Sequence, residues 1–120
     1  MISEHFSEKE FECPCRCGKL IINNRLVSVL EGVRGALNRP IIIDVGGVCR
    51  CEKHNAAVGG KPNSAHLTGE AADIDCSTSA DRFDMVHEFL YIGVKRIGIG
   101  RGFVHVDVSE TLPQNMIWLY

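Results

Sequence analysis

Residues 103–108 read Phe-Val-His-Val-Asp-Val. A run that alternates in this way reads as a β-strand, because successive side chains on a strand point to opposite faces. Val104, Val106 and Val108 make one face, which suits a core. Phe103, His105 and Asp107 make the other. Two polar groups facing the same way between valines are hard to explain by packing alone, so that side of the strand opens onto a polar site. This segment requires a sheet that is buried on one face and carries chemistry on the other.

The rest of the chain supplies partners for that strand. Leu26, Val29, Leu30, Val33 and Leu37 recur at helical spacing, so a helix is predicted over Arg25–Asn38. Asn24 serves as its N-cap, and Asn38 and Pro40 end it. Pro40–Val45 is β-branched, apolar and stopped by Gly46-Gly47, the pattern of a short buried strand. Ala71–Asp75 reads as a second strand. Ser79 then caps a helix over Ala80–Tyr91 with Phe83, Val86 and Leu90 on its inner face. Lys95–Gly100 and Phe103–Val108 form two strands joined by a Gly100-Arg101-Gly102 turn. Met116–Tyr120 is apolar enough to dock as a last strand. Val58–Gly69 is glycine-rich, polar and long for a loop, and such loops are often functional. Residues 1–18, with Phe6 and Phe11 among charges and then Cys-Pro-Cys-Arg-Cys-Gly, read as an irregular arm packed on the domain.

Helices and strands mix without a repeated βαβ rhythm. The expected class is α+β, a small, largely antiparallel sheet with flanking helices. At 120 residues the chain holds one core and not two. The formal net charge of −2 gives no reason to expect nucleic acid or an anionic membrane as a partner. No apolar run approaches the roughly 18 residues of a membrane span. The start, Met1-Ile2-Ser3-Glu4-His5, lacks the basic and apolar stretches of a secretory signal. We expect a monomer. Its location is left open, with synthesis in the cytoplasm and later release as one route.

The six cysteines are many for this length. Cys13, Cys15 and Cys17 alternate, Cys49 and Cys51 repeat that spacing, and Cys76 stands alone. This is not the paired C-x2-C of a zinc ribbon. Reduced structural thiols, a disulfide between distant clusters, and a second metal site all remain open.

Of the five histidines, His66 and His105 have neighbours that matter. A catalytic zinc takes about three protein ligands, usually imidazoles and a carboxylate, and leaves a position for water. His66 and Asp73 flank Gly69, and a loop-to-strand turn there brings both side chains to one metal. Taken singly, a strand histidine is more often a hydrogen-bonded structural residue, and Asp73 alone fits a turn or a salt bridge. Two local clusters that both offer ligand chemistry are harder to dismiss.

The run Ser64-x-His66-x-x-Gly69-x-Ala71-x-Asp73, followed later by Phe-Val-His-Val-Asp, resembles the peptidase M15 family. Its members are zinc D-Ala-D-Ala carboxypeptidases and L-Ala-D-Glu endopeptidases of cell-wall metabolism and phage lysis. Glu52-Lys53-His54-Asn55-Ala56-Ala57-Val58-Gly59-Gly60, then Pro62-Asn63-Ser64, is similar to its short YcbK-like branch. The likeness covers nearly the whole chain and implies a hedgehog/DD-peptidase-like fold. It implies that His66, Asp73 and His105 bind one catalytic Zn2+ and that the substrate is a peptidoglycan stem peptide. Many relatives place a catalytic carboxylate three residues before the last histidine. Here that position is Gly102, so Asp107 is the expected general base, with orientation of His105 by hydrogen bond as its other reading. Arg50, in a turn one residue longer than the branch's usual one, is expected to bind the substrate carboxylate or the oxyanion. A surface salt bridge is the alternative. Ser64 contributes to substrate binding or shapes the turn. Two rival readings stand beside the enzyme. One is a zinc-binding domain without catalysis that serves as a wall-binding or phage structural module. The other is a redox or structural zinc protein built on the cysteines.

Overall fold

The computed structural model describes residues 1–44 and 46–120. The chain begins with one helical turn, α1 (Glu8–Phe11), inside the arm read as irregular. Phe6 precedes this turn and Phe11 ends it, with their rings edge-on at 6.3 Å, and both are fully buried. The arm therefore contributes to the core instead of lying over it.

Helix α2 (Asn24–Leu37) follows. Its cap is Asn23, one residue before the expected Asn24, because the Asn23 side chain accepts from the Leu26 amide at 3.0 Å. Asn38 ends it in the left-handed conformation at φ 52°, which asparagine tolerates better than most residues. Leu26, Leu30 and Val33 are buried, with Val29 and Leu37 packed at the margin.

Pro40–Val45 does not form the expected strand. Among its described residues, Ile43 alone makes a bridge, antiparallel to Ile74; Val45 lies outside the described residues. Asp44 N–H donates to Asp73 O, and Asp75 N–H to Ile42 O. The ladder stops where the backbone turns at Gly46, φ 71°, and Asp73 N–H donates instead to Gly47 O at 2.7 Å. A short helix, α3 (Glu52–Ala57), which apolar periodicity did not predict, comes next. The long polar loop after it holds a 3-10 turn, Ala65–Thr68.

Strand β1 (Ala71–Asp75) matches its predicted bounds. Helix α4 (Ser79–Ile92) is capped by Thr78, whose side chain accepts from Asp81 N–H. Its inner face differs from expectation. Met85 and Phe89 are buried and Val86 packs against the core as expected, whereas Phe83 is 73% exposed and Leu90 48%. Both stripes have helical spacing. Docking on α2 selects one of them, with Ile92 lying over Gly32, which has no side chain to obstruct it. Phe83, His87 and Tyr91 then stack on the outer face.

Strands β2 (Arg96–Ile99), β3 (Phe103–Asp107) and β4 (Met116–Leu119) complete a four-stranded sheet in the order β1-β3-β2-β4. The β1/β3 and β2/β3 pairs are antiparallel and β2/β4 is parallel. The class is α+β with a largely antiparallel sheet, as expected. Val104, Val106, Ile74, Ile97 and Ala72 face the core with α2 and α4. No helix among the described residues is long and apolar enough to cross a membrane.

Candidate metal centre

The sheet register aligns the site. Asp73 on β1 pairs with His105 on β3, His105 with Gly98 on β2, and Gly98 with Trp118 on β4. Directly paired residues share a face, so Asp73, His105 and Trp118 emerge in one row. Gly98 leaves a gap that the larger side chains fill, since a Cβ there would lie 2.5 Å from Tyr120 and 2.6 Å from Trp118. The adjacent row carries Asp107 opposite Arg96.

His66 comes from outside the sheet. Ser64 caps the 3-10 turn, its Oγ accepting from His66 N–H at 3.2 Å. Gly69 ends the turn at φ 69°, where a side chain would also strike Ile21. That left-handed residue returns the chain into β1 within a few positions, bringing His66 over Asp73.

Nitrogens of His66 and His105 and a carboxylate oxygen of Asp73 all lie within 4.8 Å of one another. His66 Nε2 is 3.3 Å and His105 Nδ1 3.0 Å from Asp73 Oδ1. The opposite nitrogen of each ring is held. His66 Nδ1–H donates to Val48 O at 2.8 Å, and His105 Nε2–H to Asp107 Oδ2 at 2.8 Å. In neutral rings these bonds leave the two inward nitrogens with lone pairs that a cation can take; with no cation there, a proton on an inward nitrogen is donated to Asp73 Oδ1 instead. Two imidazoles and one carboxylate, each ring steadied on its far side, form a donor set suited to zinc.

The electrostatics agree. Burial works against ionising Asp73, but hydrogen bonds from His105 and His66 overcome it and hold the carboxyl well below the usual carboxylate range. Burial disfavours a charged His105, yet Asp107 and Asp73 on either side raise its pKa. The pocket thus favours positive charge at its centre.

Arg50 and Asp107 sit differently from expectation. The Arg50 guanidinium donates to Asp73 Oδ2 at 3.0 Å and to Gly46 O at 3.2 Å, and little of it reaches solvent. It steadies the Asp73 carboxylate. The ion pair foreseen as its alternative exists, but it is buried. Asp107 is 2% exposed. Its Oδ2 takes His105, and its Oδ1 takes Arg96 Nε at 2.8 Å and Ser109 N–H at 3.2 Å. It lies behind His105, with both oxygens engaged.

A cleft of about 610 Å³ opens beside His105, with Lys61, Ser64, Pro113, Trp118 and Tyr120 among its walls. Trp118 stands 5.3 Å from the His105 ring, and the Arg96 guanidinium lies 4.9 Å over Trp118. Sequence reasoning missed Arg96 and the two aromatics. An arginine opening a strand and an aromatic tail have no local signature; only the register brings them to His105. His54, His87 and Asp75 stay outside the ligand set.

A family model described as Peptidase M15 matches residues 4–107. No curated protein matches the chain.

Proposed function

The chain belongs to the peptidase M15 family, and on that premise we propose that it is a zinc-dependent peptidase acting on peptidoglycan stem peptides. The observation that carries this reading is the convergence of two imidazole nitrogens and one carboxylate oxygen within 4.8 Å. The metal would be held by His66 Nε2, Asp73 Oδ1 and His105 Nδ1. Bound there, zinc lowers the pKa of a water towards ~7 and polarises the scissile carbonyl.

The chain's own residues do the rest. Asp73 offsets the metal's charge, and Arg50 keeps its second oxygen from rotating inward. Val48 O and Asp107 hold the two rings in the tautomers that expose lone pairs inward. Asp107 is thus a positioning group in this reading, and the role of base first expected of it is set aside. The Trp118 and Tyr120 wall shields one side of the cleft from water. Ser64 Oγ–H remains free to donate to a peptide carbonyl, since the Ser64 oxygen already accepts from His66.

A specific observation favours a second reading, a zinc-binding module without hydrolysis. Gly102 carries no side chain where many relatives have the acid, and Asp107, the one acid on the cleft wall, is fully engaged. Incubating zinc-loaded protein with purified peptidoglycan and analysing the products by mass spectrometry separates the two. Released D-Ala marks a carboxypeptidase, and a new amino group on D-Glu marks an endopeptidase. No product despite stoichiometric zinc at His66, Asp73 and His105 leaves the binding module.

A further inference from the structure

A second cluster of ligand chemistry stands apart from the histidines. Cys13, Cys15 and Cys17 of the arm meet Cys51, the N-cap of α3, with all four sulfurs within 4.8 Å of one another. Cys13 Sγ lies 3.4 Å from Cys15 Sγ, and Cys15 Sγ lies 3.5 Å from Cys51 Sγ. A tetrahedral zinc with bonds of ~2.3 Å sets its sulfurs about 3.8 Å apart, close to this spacing.

The backbone is bent to make the cluster. In an extended Cys-x-Cys-x-Cys run, alternate side chains share a face but stand roughly 6.6 Å apart. Arg16 at φ 65° adopts a left-handed conformation between Cys15 and Cys17, which curls the run so that its thiols converge, and Gly18 at φ 86° turns the chain just after it. A non-glycine residue held there is uncommon and needs surrounding structure to keep it. Backbone amides point at the sulfurs: Cys51 N–H to Cys13 Sγ at 3.4 Å, His54 N–H to Cys51 Sγ at 3.3 Å, Lys19 N–H to Cys17 Sγ at 3.5 Å. Cys15 and Cys17 are exposed, so apolar packing does not account for them. Cys49 and Cys76 are buried and fall outside the set of four.

We infer that Cys13, Cys15, Cys17 and Cys51 form a second, structural zinc site. Four thiolates in a closed tetrahedral set select a soft, four-coordinate ion and leave no position for water. The site ties the arm to the turn that carries Arg50. Lys19, just beyond the cysteines, reinforces that tie by donating from Nζ to Arg50 O and Leu67 O. Arg50 in turn holds Asp73, so this metal braces the other centre without touching it. The inference does not depend on the peptidase reading.

The test is elemental analysis of protein purified under reducing conditions without chelator. Wild type is expected to hold two zinc ions per chain. His66→Ala keeps one, and Cys15→Ser/Cys17→Ser keeps one. Cobalt loaded into His66→Ala gives strong thiolate-to-metal charge-transfer absorption. Because the cysteine variant risks misfolding, wild type is also alkylated with and without chelator, and modified cysteines are mapped. Cys15 and Cys17, though exposed, resist alkylation until the chelator is added. Equal reactivity in both conditions overturns the site, as does a wild type with one zinc that His66→Ala abolishes. Iron at the thiols, or an intact mass short of hydrogens through disulfide formation, also overturns it. Loss of the peptidase activity alone leaves these readouts unchanged.

Discussion

Replacing Asp107 with alanine separates its two assigned roles, positioning group and base. The wild-type carboxylate accepts from His105 Nε2 at 2.8 Å, Arg96 Nε at 2.8 Å and Ser109 N–H at 3.2 Å. Removing it leaves the Arg96 guanidinium largely buried with Pro113 O as its remaining hydrogen-bond acceptor. Stranding one member of a buried ion pair costs about 3–5 kcal/mol. A domain with roughly 10 kcal/mol of stability, the middle of the usual range, stays folded through that loss. The His105 ring also loses the acceptor that sets its tautomer, which costs ~10–100-fold in metal affinity. The expected result is a lower urea midpoint, a zinc Kd raised by about that factor, and turnover mostly restored at saturating zinc. Asp107→Asn keeps one acceptor oxygen and falls between. A base predicts the reverse: unchanged zinc affinity, with kcat down ~10²–10⁴-fold at full occupancy. That outcome, with competitive chelator titration and stem-peptide turnover measured on the same samples, would refute the positioning role.

The remaining predictions test other parts of the centre and fold. Arg50→Ala frees Asp73 Oδ2 from its 3.0 Å bond and should weaken zinc binding ~10–100-fold; a raised KM at unchanged zinc affinity would return Arg50 to the role of substrate binder. Gly98→Ala places a methyl against Trp118 and Tyr120, and overpacking of this kind costs about 1–3 kcal/mol; the emission of Trp118, the chain's one tryptophan, should shift, and an unchanged spectrum and melting temperature would show that the tail does not pack there. Leu30→Ala, at a fully buried position, should cost about 2–5 kcal/mol in denaturant unfolding; less than 1 kcal/mol would contradict the packing of α2. Chelator should lower the melting temperature of zinc-loaded wild type, because binding to the folded state stabilises it by mass action; an unchanged melt would mean that neither centre holds metal.

What the sequence by itself determined is local. The alternation over residues 103–108 predicted β3, its valine core face and a polar face bearing His105 and Asp107. Ala71–Asp75 and both long helices were legible because period 2 and period 3.6 are properties of the backbone. The spacing of His66, Gly69 and Asp73 marked the candidate ligands because the turn between them is short and glycine-ended. Even within these limits, periodicity put Phe83, Val86 and Leu90 on the inner face of α4, whereas docking on α2 buried Met85 and Phe89 and kept only Val86 of that stripe against the core.

Only the tertiary structure decided what surrounds the ligands. Asp107 and Arg96 meet through a cross-strand register, Trp118 reaches His105 across the gap at Gly98, and Cys51 joins Cys15 from 36 residues away. These are relations between segments, set by which strand pairs with which and by how the arm curls, and a linear pattern carries no distance between segments. For the same reason the alternation that exposed Asp107 as a polar residue could not assign its role. A carboxylate on the site's face reads equally as a base or as a group that orients His105, and only the structure shows that its oxygens accept from His105, Arg96 and Ser109.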